Sequence, residues 1–384
     1  MLDPILTFFR RLFAGLMRFF ANIFARFGRN PRGADGGGAR RRSWIIRGPI
    51  LAVLALVVGL YGYFFYQTQV WTDFDPDFVD SYRFSERTVP AGQTLATPAP
   101  ASVDAPTGAV APPRQCQSSA IVDVAADLTD RNVNRNAWIS SMLLYRVGLF
   151  GIDWDHTPFF DNKASFQRGV NQAVRRTTVE LVDSLARIRG TSGIDNNLQD
   201  ARNNLQFDEY AWYFGLTPFG PKTPTPSYYR AAITSLKKFN VDLAACVTTF
   251  DSRADNLVQF VDRIANDLGS TTAILRERSE NHNGGWFDTR ADDRFWFAYG
   301  QLYGYYAVLS AAGADFSQVI RERNLGPLWT DTLGQFKAAL RIQPTIISNG
   351  REDGMIMPTH LSTMGFYMLR VRSNLVEVRS VLDR

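Results

Sequence analysis

The chain has 384 residues, 45% of them hydrophobic, 13% aromatic and 21% charged, with a formal net charge of +5. That composition supports a buried core and excludes a wholly disordered or fibrous chain. The charge is unevenly divided: residues 1–49 hold ten arginines against Asp3 and Asp35, a net of +8, so residues 50–384 carry −3.

Residues 1–30 are read as an amphipathic helix. At helical spacing Thr7, Arg11, Ala14, Arg18, Asn22, Ala25 and Arg29 form one stripe, opposite Phe9, Phe13, Leu16, Phe20, Phe24 and Phe27. A basic stripe facing a Phe/Leu stripe suits a helix lying in a membrane surface, drawn to anionic inner-leaflet lipid by about 1 kcal/mol per nearby arginine. Docking on a protein partner is the alternative. Residues 31–43, with GADGGG at 33–38, are expected to form a flexible Gly/Arg-rich hinge.

Residues 44–70 are expected to be a transmembrane helix. The run 50–66, ILAVLALVVGLYGYFFY, carries no charge, and Trp44, Ile45 and Ile46 extend it past Arg47 to a length that spans the hydrocarbon core. Trp44 at one end and Trp71 at the other, with Tyr61, Tyr63 and Tyr66, take the interfacial places that amphipathic rings prefer. Arginines 40, 41, 42 and 47 precede the span, and Asp73, Asp75, Asp77 and Asp80 follow it. The positive-inside rule therefore puts the N-terminus in the cytoplasm and the rest of the chain on the far side of the membrane. The sequence QTQVWTD after the span lacks the small-x-small cleavage pattern, which favours an uncleaved anchor.

Residues 71–115 read as a juxtamembrane segment and a Pro/Ala-rich linker. Six prolines lie between 89 and 114 with almost no charged or aromatic side chain, the composition of a semi-extended tether. From 116 to 384 the periodicity is helical almost throughout, as in Ile121, Val124, Leu128 and in Phe166, Val170, Val174, Leu181, Leu185, Ile188. Further helices are predicted at 195–214, 226–250, 252–280, 291–313, 327–341 and 358–382, with start signals at Asp195, Ser227 and Asp251. No pair of alternating strands joined by a two-residue turn is evident. The fold class is all-α: a single transmembrane helix plus a multi-helix periplasmic bundle, with the N-terminal amphipathic helix.

In an oxidising compartment Cys116 and Cys246 form one disulfide or stay as two buried thiols. Several stretches together resemble a known family: Thr157-Pro158-Phe159-Phe160-Asp161-Asn162 with Phe166-Gln167, then Arg187-Ile188-Arg189-Gly190-Thr191-Ser192, and Pro358-Thr359-His360-Leu361 with Gly365-Phe366-Tyr367-Met368-Leu369-Arg370. They are similar to the bacterial inner-membrane family catalogued as domain of unknown function 2333, over roughly residues 44–384. The resemblance implies a bacterial envelope protein and carries over no substrate and no site residue.

Catalytic templates fail one by one. Asp153, Asp155 and His156 adjoin one another, but no HExxH and no clustered Cys/His spacing is present, so no metal and no cofactor is expected. Ser235-x-x-Lys238 lacks its companion motifs, and neither a Gly-x-Ser-x-Gly elbow nor a phosphate-binding loop occurs. Carboxylates beside aromatics can build a sugar-stacking cleft. Glu280, His282, Trp286, Asp288, Asp293 and Trp296 are the candidates for one, with Arg351 in a polar Gly-rich loop and His360 beyond it. The alternative is that the acids lie on solvated faces or cap helices while the rings fill the core. Gly300 and Gly304 have the spacing that permits close helix approach. Nucleic-acid binding is disfavoured, because the basic charge precedes the span and the remainder is slightly acidic.

The reading is a non-enzymatic envelope assembly or scaffold factor that binds other envelope proteins. The alternative is a peptidoglycan-binding or peptidoglycan-modifying protein using the 277–299 region. The sequence gives no oligomeric state.

Overall fold

A computed structural model describes residues 18, 37–95, 114–149, 151–154, 157, 160–187, 193–216, 218–286, 288–352, 354 and 357–384, without the side chains of 37–46 and 216. The chain divides into two units, Met1–Gly59 and Leu60–Arg384. Of the interfacial residues expected in the N-terminal helix, Arg18 is exposed, while Phe9, Arg11, Phe13, Phe20 and Arg29 lie outside the described residues, as does the side chain of Trp44.

Helix α1 (Gly37–Gln69) contains Pro49 and begins inside the expected hinge. Its portion Arg47–Gln69 is, among the described residues, the one helix long and apolar enough to cross a membrane, with a mean hydropathy of 2.0. In the first unit Ile50, Val53 and Leu56 are each about 60% exposed, so this stretch is apolar without a protein core around it.

The second unit is mostly helical. Its elements are α2 (Ala120–Asp130), α3 (Leu143–Val147), α4 (Asn162–Glu180), α5 (Asn196–Leu205), β1 (Phe214–Leu216), β2 (Phe219–Pro221), α6 (Thr225–Ala244), α7 (Ala254–Asn281), α8 (Ala291–Asp315), α9 (Ser317–Glu322), α10 (Gly326–Leu340) and α11 (His360–Leu382). Wider π-type turns, Arg131–Arg135 and Leu181–Leu185, extend α2 and α4.

Helix α8 is apolar on every side and correspondingly buried nearly end to end, with α2, α4, α7, α10 and α11 packed on it. Gly300 lies against the Phe166 carbonyl and Gly304 against Val170 and Ala173, so α4 and α8 run side by side in the same direction at close range. Two capped starts follow ordinary sequence rules. Asp195 accepts from the Asn197 and Leu198 amides at the start of α5, and the Ser119 hydroxyl accepts from Val122 at the start of α2. Asp251 does not cap α7; it pairs with Arg253.

Three expectations change. First, the helix predicted over 195–214 stops at Leu205, and β1 pairs antiparallel with β2 across a two-residue turn. Strands of three residues are too short to show an alternation, and Pro218, Gly220 and Pro221 read only as helix breakers.

Second, residues 71–95 are part of the helical domain. Trp71, Phe74, Phe78, Tyr82 and Phe84 pack on its core, and Val79 and Ala91 are buried in it. Trp71, partly buried, meets Phe74, Phe166 and Trp296 at ring-centroid distances of 5.0–5.2 Å, so its ring packs on the domain. The buried Arg131 guanidinium sits among the rings of Phe74, Phe78, Phe166 and Tyr303 and donates to the Tyr303 hydroxyl, which donates to the Asp75 carbonyl.

Third, the Pro-rich stretch does not space the domain from α1. Leu95 donates to Gln115 at 2.8 Å and Gln117 to Gln93 at 2.9 Å, which ties the two ends of the stretch together. Cys116 and Cys246 form a disulfide; Cys116 precedes α2 and Cys246 follows α6.

Candidate functional site

The acidic and aromatic residues of the 277–299 region do not converge on one cleft. Glu280 is exposed and pairs with Arg276 one turn back on α7, at 2.6 Å. His282 is exposed beyond the end of α7, and the Trp286 ring is 63% exposed. Asp288 is buried: burial raises its pKa, but donation from Arg278 and Asn349 outweighs this and leaves it below the usual carboxylate value. Asn349 also donates to the carbonyls of Arg278 and His282. His360 Nδ1 accepts from the Ser348 amide, and burial lowers its pKa, so the ring is neutral and holds the 348–360 loop. Arg351 is exposed on that loop. Trp296 packs in the core on Trp71, Phe295 and Tyr299. Most of these groups are therefore absorbed by loop fastening, solvation or packing.

Asp293 is the exception. Because α4 and α8 lie side by side with their N-terminal ends together, Asp161, just before α4, meets Asp292 and Asp293 in the first turn of α8. Asp161 is fully buried and Asp292 is 4% exposed. Among the described residues neither carboxyl makes an ion pair with a cation. Two unpaired carboxylates in an interior are costly to ionise. Burial, reinforced by the neighbouring Asp293 and Asp292 charges, pushes the Asp161 carboxyl up to about 11. Burial and Asp293 push Asp292 up to about 8. Asp161 is thus a neutral carboxylic acid at pH 7, and as such it hydrogen-bonds the Asp293 carboxylate. Asp293 also accepts from the Ser165 hydroxyl at 2.6 Å and lies 3.9 Å from Arg168.

Asp293 is the member of the trio that lines a surface cavity of about 270 Å³, shared with Arg168, Glu209, Ile274, Arg290 and Arg294. The arrangement is a protonated acid behind a carboxylate, Asp293, that shares a depression with Glu209 and with the arginines Arg168, Arg290 and Arg294. It can bind an anionic group at the rim and hold a proton at Asp161. Among the described residues no three His, Cys, Asp or Glu side chains are grouped as a metal ion requires.

In the sequence Asp161 stands out only as part of the family-like 157–162 stretch, and Asp292 reads as one of several acids at a helix start. Acids at helix starts are the ordinary complement to the helix dipole, and nothing in the local sequence separates a solvated cap from a buried one. Only the pairing of α4 with α8 makes these acids neighbours.

No curated protein and no solved structure matches the chain. Across residues 128–284, from the end of α2 to just beyond α7, the chain matches the family described as an uncharacterized protein conserved in bacteria, domain of unknown function 2333, the family that its 157–192 and 358–370 motifs resemble.

Proposed function

We propose that this is a single-pass bacterial inner-membrane protein, N-terminus cytoplasmic, whose periplasmic helical domain serves as a non-enzymatic assembly or scaffold factor for other envelope proteins. The observation that carries this reading is the junction at the end of α1. Phe64 and Thr68 are buried in the domain, Tyr61 donates to the Gly148 carbonyl at 3.0 Å, and Lys163 donates to the carbonyls of Gln67 and Val70. A domain built onto the end of an apolar helix suits holding partners at a set height above a membrane better than reaching for a polymer on a tether. The four basic residues before the span, the acidic ones after it and the disulfide support the orientation. Residues 1–30 add an interfacial helix on the cytoplasmic side, attracted to anionic lipid.

Reporter fusions after residues 29 and 384 test the topology and should report opposite compartments; a shared compartment refutes it. Crosslinking in cells from exposed positions of α11 should then capture a reproducible set of envelope proteins.

A second reading, peptidoglycan recognition, is favoured by one observation: Arg290, Asp293 and Arg294 open on the cavity described above. Co-sedimentation of the detergent-solubilised full chain with purified cell wall distinguishes the two. Saturable binding abolished by Arg290→Ala/Arg294→Ala establishes the second, and absence of binding and of muropeptide release leaves the first.

A further inference from the structure

The domain packs against one face of the last turns of α1, on residues that belong to the candidate span. Gly148 accepts from Tyr61, Trp154 meets Phe64 at 4.8 Å, and Phe160 meets Phe65 at 4.6 Å. Tyr61 lies five residues before the last uncharged aromatic of the run, Tyr66. At the helical rise of about 1.5 Å per residue, the Gly148 loop sits about 7 Å below that point. Interfacial segments rest at this depth.

The outer face of the same loop is apolar and uncovered. Leu143 is 42%, Val147 50% and Ile152 57% exposed, three large aliphatic side chains within ten residues, with Tyr63 and Tyr66 of α1 also exposed. Arg146 is exposed between Leu143 and Val147, where its long stem allows the guanidinium to rise to the lipid phosphates.

Hydrocarbon tolerates a non-helical segment only where its backbone is already hydrogen-bonded. Several backbone groups of this segment meet that condition. Gly148 donates to Leu144, Leu149 and Ile152 exchange both backbone bonds at 2.8 and 3.1 Å, and Trp154 Nε1 donates to the Leu144 carbonyl at 2.7 Å. The Gly148 carbonyl is already occupied by Tyr61.

We infer that residues 142–149, with Gly151 and Ile152, form a membrane-entering collar, with Leu143, Val147 and Ile152 inserted into the interfacial zone of the leaflet the domain faces and Arg146 on its phosphates. The collar continues the apolar surface of α1, and lipid is the occupant that matches both the aliphatic tips and the arginine. This inference rests on the membrane reading of Arg47–Gln69.

The test uses the full chain in nanodiscs of phosphatidylethanolamine and phosphatidylglycerol, with one nitroxide at a time placed through Leu56→Cys, Val147→Cys, Ile152→Cys or Val241→Cys. Collision with oxygen, which partitions into lipid, is compared with collision with a water-soluble nickel chelate. Labels at 147 and 152 should give a depth parameter of the same sign as position 56 and opposite to exposed position 241. Labels at 147 and 152 that behave like 241, while 56 remains in lipid, overturn the collar and leave the anchor standing. Labels there shielded from both reagents overturn lipid as the occupant in favour of a protein. A water-exposed 56 refutes the anchor itself and the collar with it.

Discussion

The Lys163 ammonium, 3% exposed in the first turn of α4, donates to the Gln67 carbonyl at 2.9 Å. A second bond, 2.6 Å, reaches Val70, and Trp71 Nε1 caps Thr68. The last carbonyls of a helix have no intrahelical donor, and a cation there also complements the dipole. Burial lowers the Lys163 pKa to about 8, so the ammonium form persists at neutral pH. Lys163→Met is expected to cost about 2 kcal/mol through the unpaired carbonyls. Hydrogen exchange should then speed up at amides 66–72 while α8 keeps its protection; unchanged exchange at 66–72 would show that Lys163 does not hold the helix end.

The carboxylate trio makes stability fall with rising pH. Asp161 and Asp292 hold protons in the folded chain up to about 11 and about 8, whereas the unfolded chain releases them near the ordinary aspartate value of 3.8. The folded state therefore binds more protons than the unfolded chain above about pH 4, and stability falls from there upward, to about pH 8 for the Asp292 contribution and further for that of Asp161. Asp161→Asn, which keeps a donor toward Asp293 and cannot ionise, should stabilise by on the order of 3 kcal/mol at pH 8 and far less at pH 4.5. Thermal melts at both pH values decide this, and equal effects at the two would exclude ionisation as the cause.

The α4–α8 contact sets a steric limit at Gly300. A Cβ there would overlap the Phe166 carbonyl, a backbone atom that cannot rotate away. Gly300→Ala is expected to destabilise by about 3 kcal/mol despite alanine's better helix propensity. Gly334, in α10 with nothing within 4 Å, is the control, and Gly334→Ala should stabilise by roughly 1 kcal/mol. Denaturant unfolding of both variants measures the contrast.

The Cys116–Cys246 bond closes a separation of 130 residues and fixes the segment before α2 to the end of α6, where Cys116 also donates to the Ala244 carbonyl at 2.9 Å. The double variant Cys116→Ser/Cys246→Ser should lose about 2–5 kcal/mol. A shift in denaturation midpoint no larger than that of reduced wild type is expected; a further loss would implicate the serines and not the missing bond.

At the start of α2, fully buried Asp315 accepts from the Ser119 hydroxyl at 2.7 Å and from the amides of Ala120 and Ile121. Burial raises its pKa to about 6 in spite of these donors. Asp315→Ala leaves three donors unpaired and should cost about 3 kcal/mol. Circular dichroism melts at pH 7 provide the measurement.

The sequence by itself determined what local composition controls. An uncharged run of seventeen residues can only be buried or lie in lipid, Gly300 and Gly304 one turn apart permit a close helix contact, and Asp195 at a helix start caps it. Tertiary structure alone decided which groups meet. Trp71, Phe74 and Phe78 recur at three and four residues in a segment read as external to the domain, and their role emerges only when they pack on its core, Phe74 and Phe78 joining Phe166 and Tyr303 around Arg131. Asp161 and Asp292 are 131 positions apart and look like routine helix-start acids until α4 and α8 align. The physical reason is common to both cases: desolvation and charge repulsion depend on neighbours brought in from distant sequence, and no local pattern encodes them.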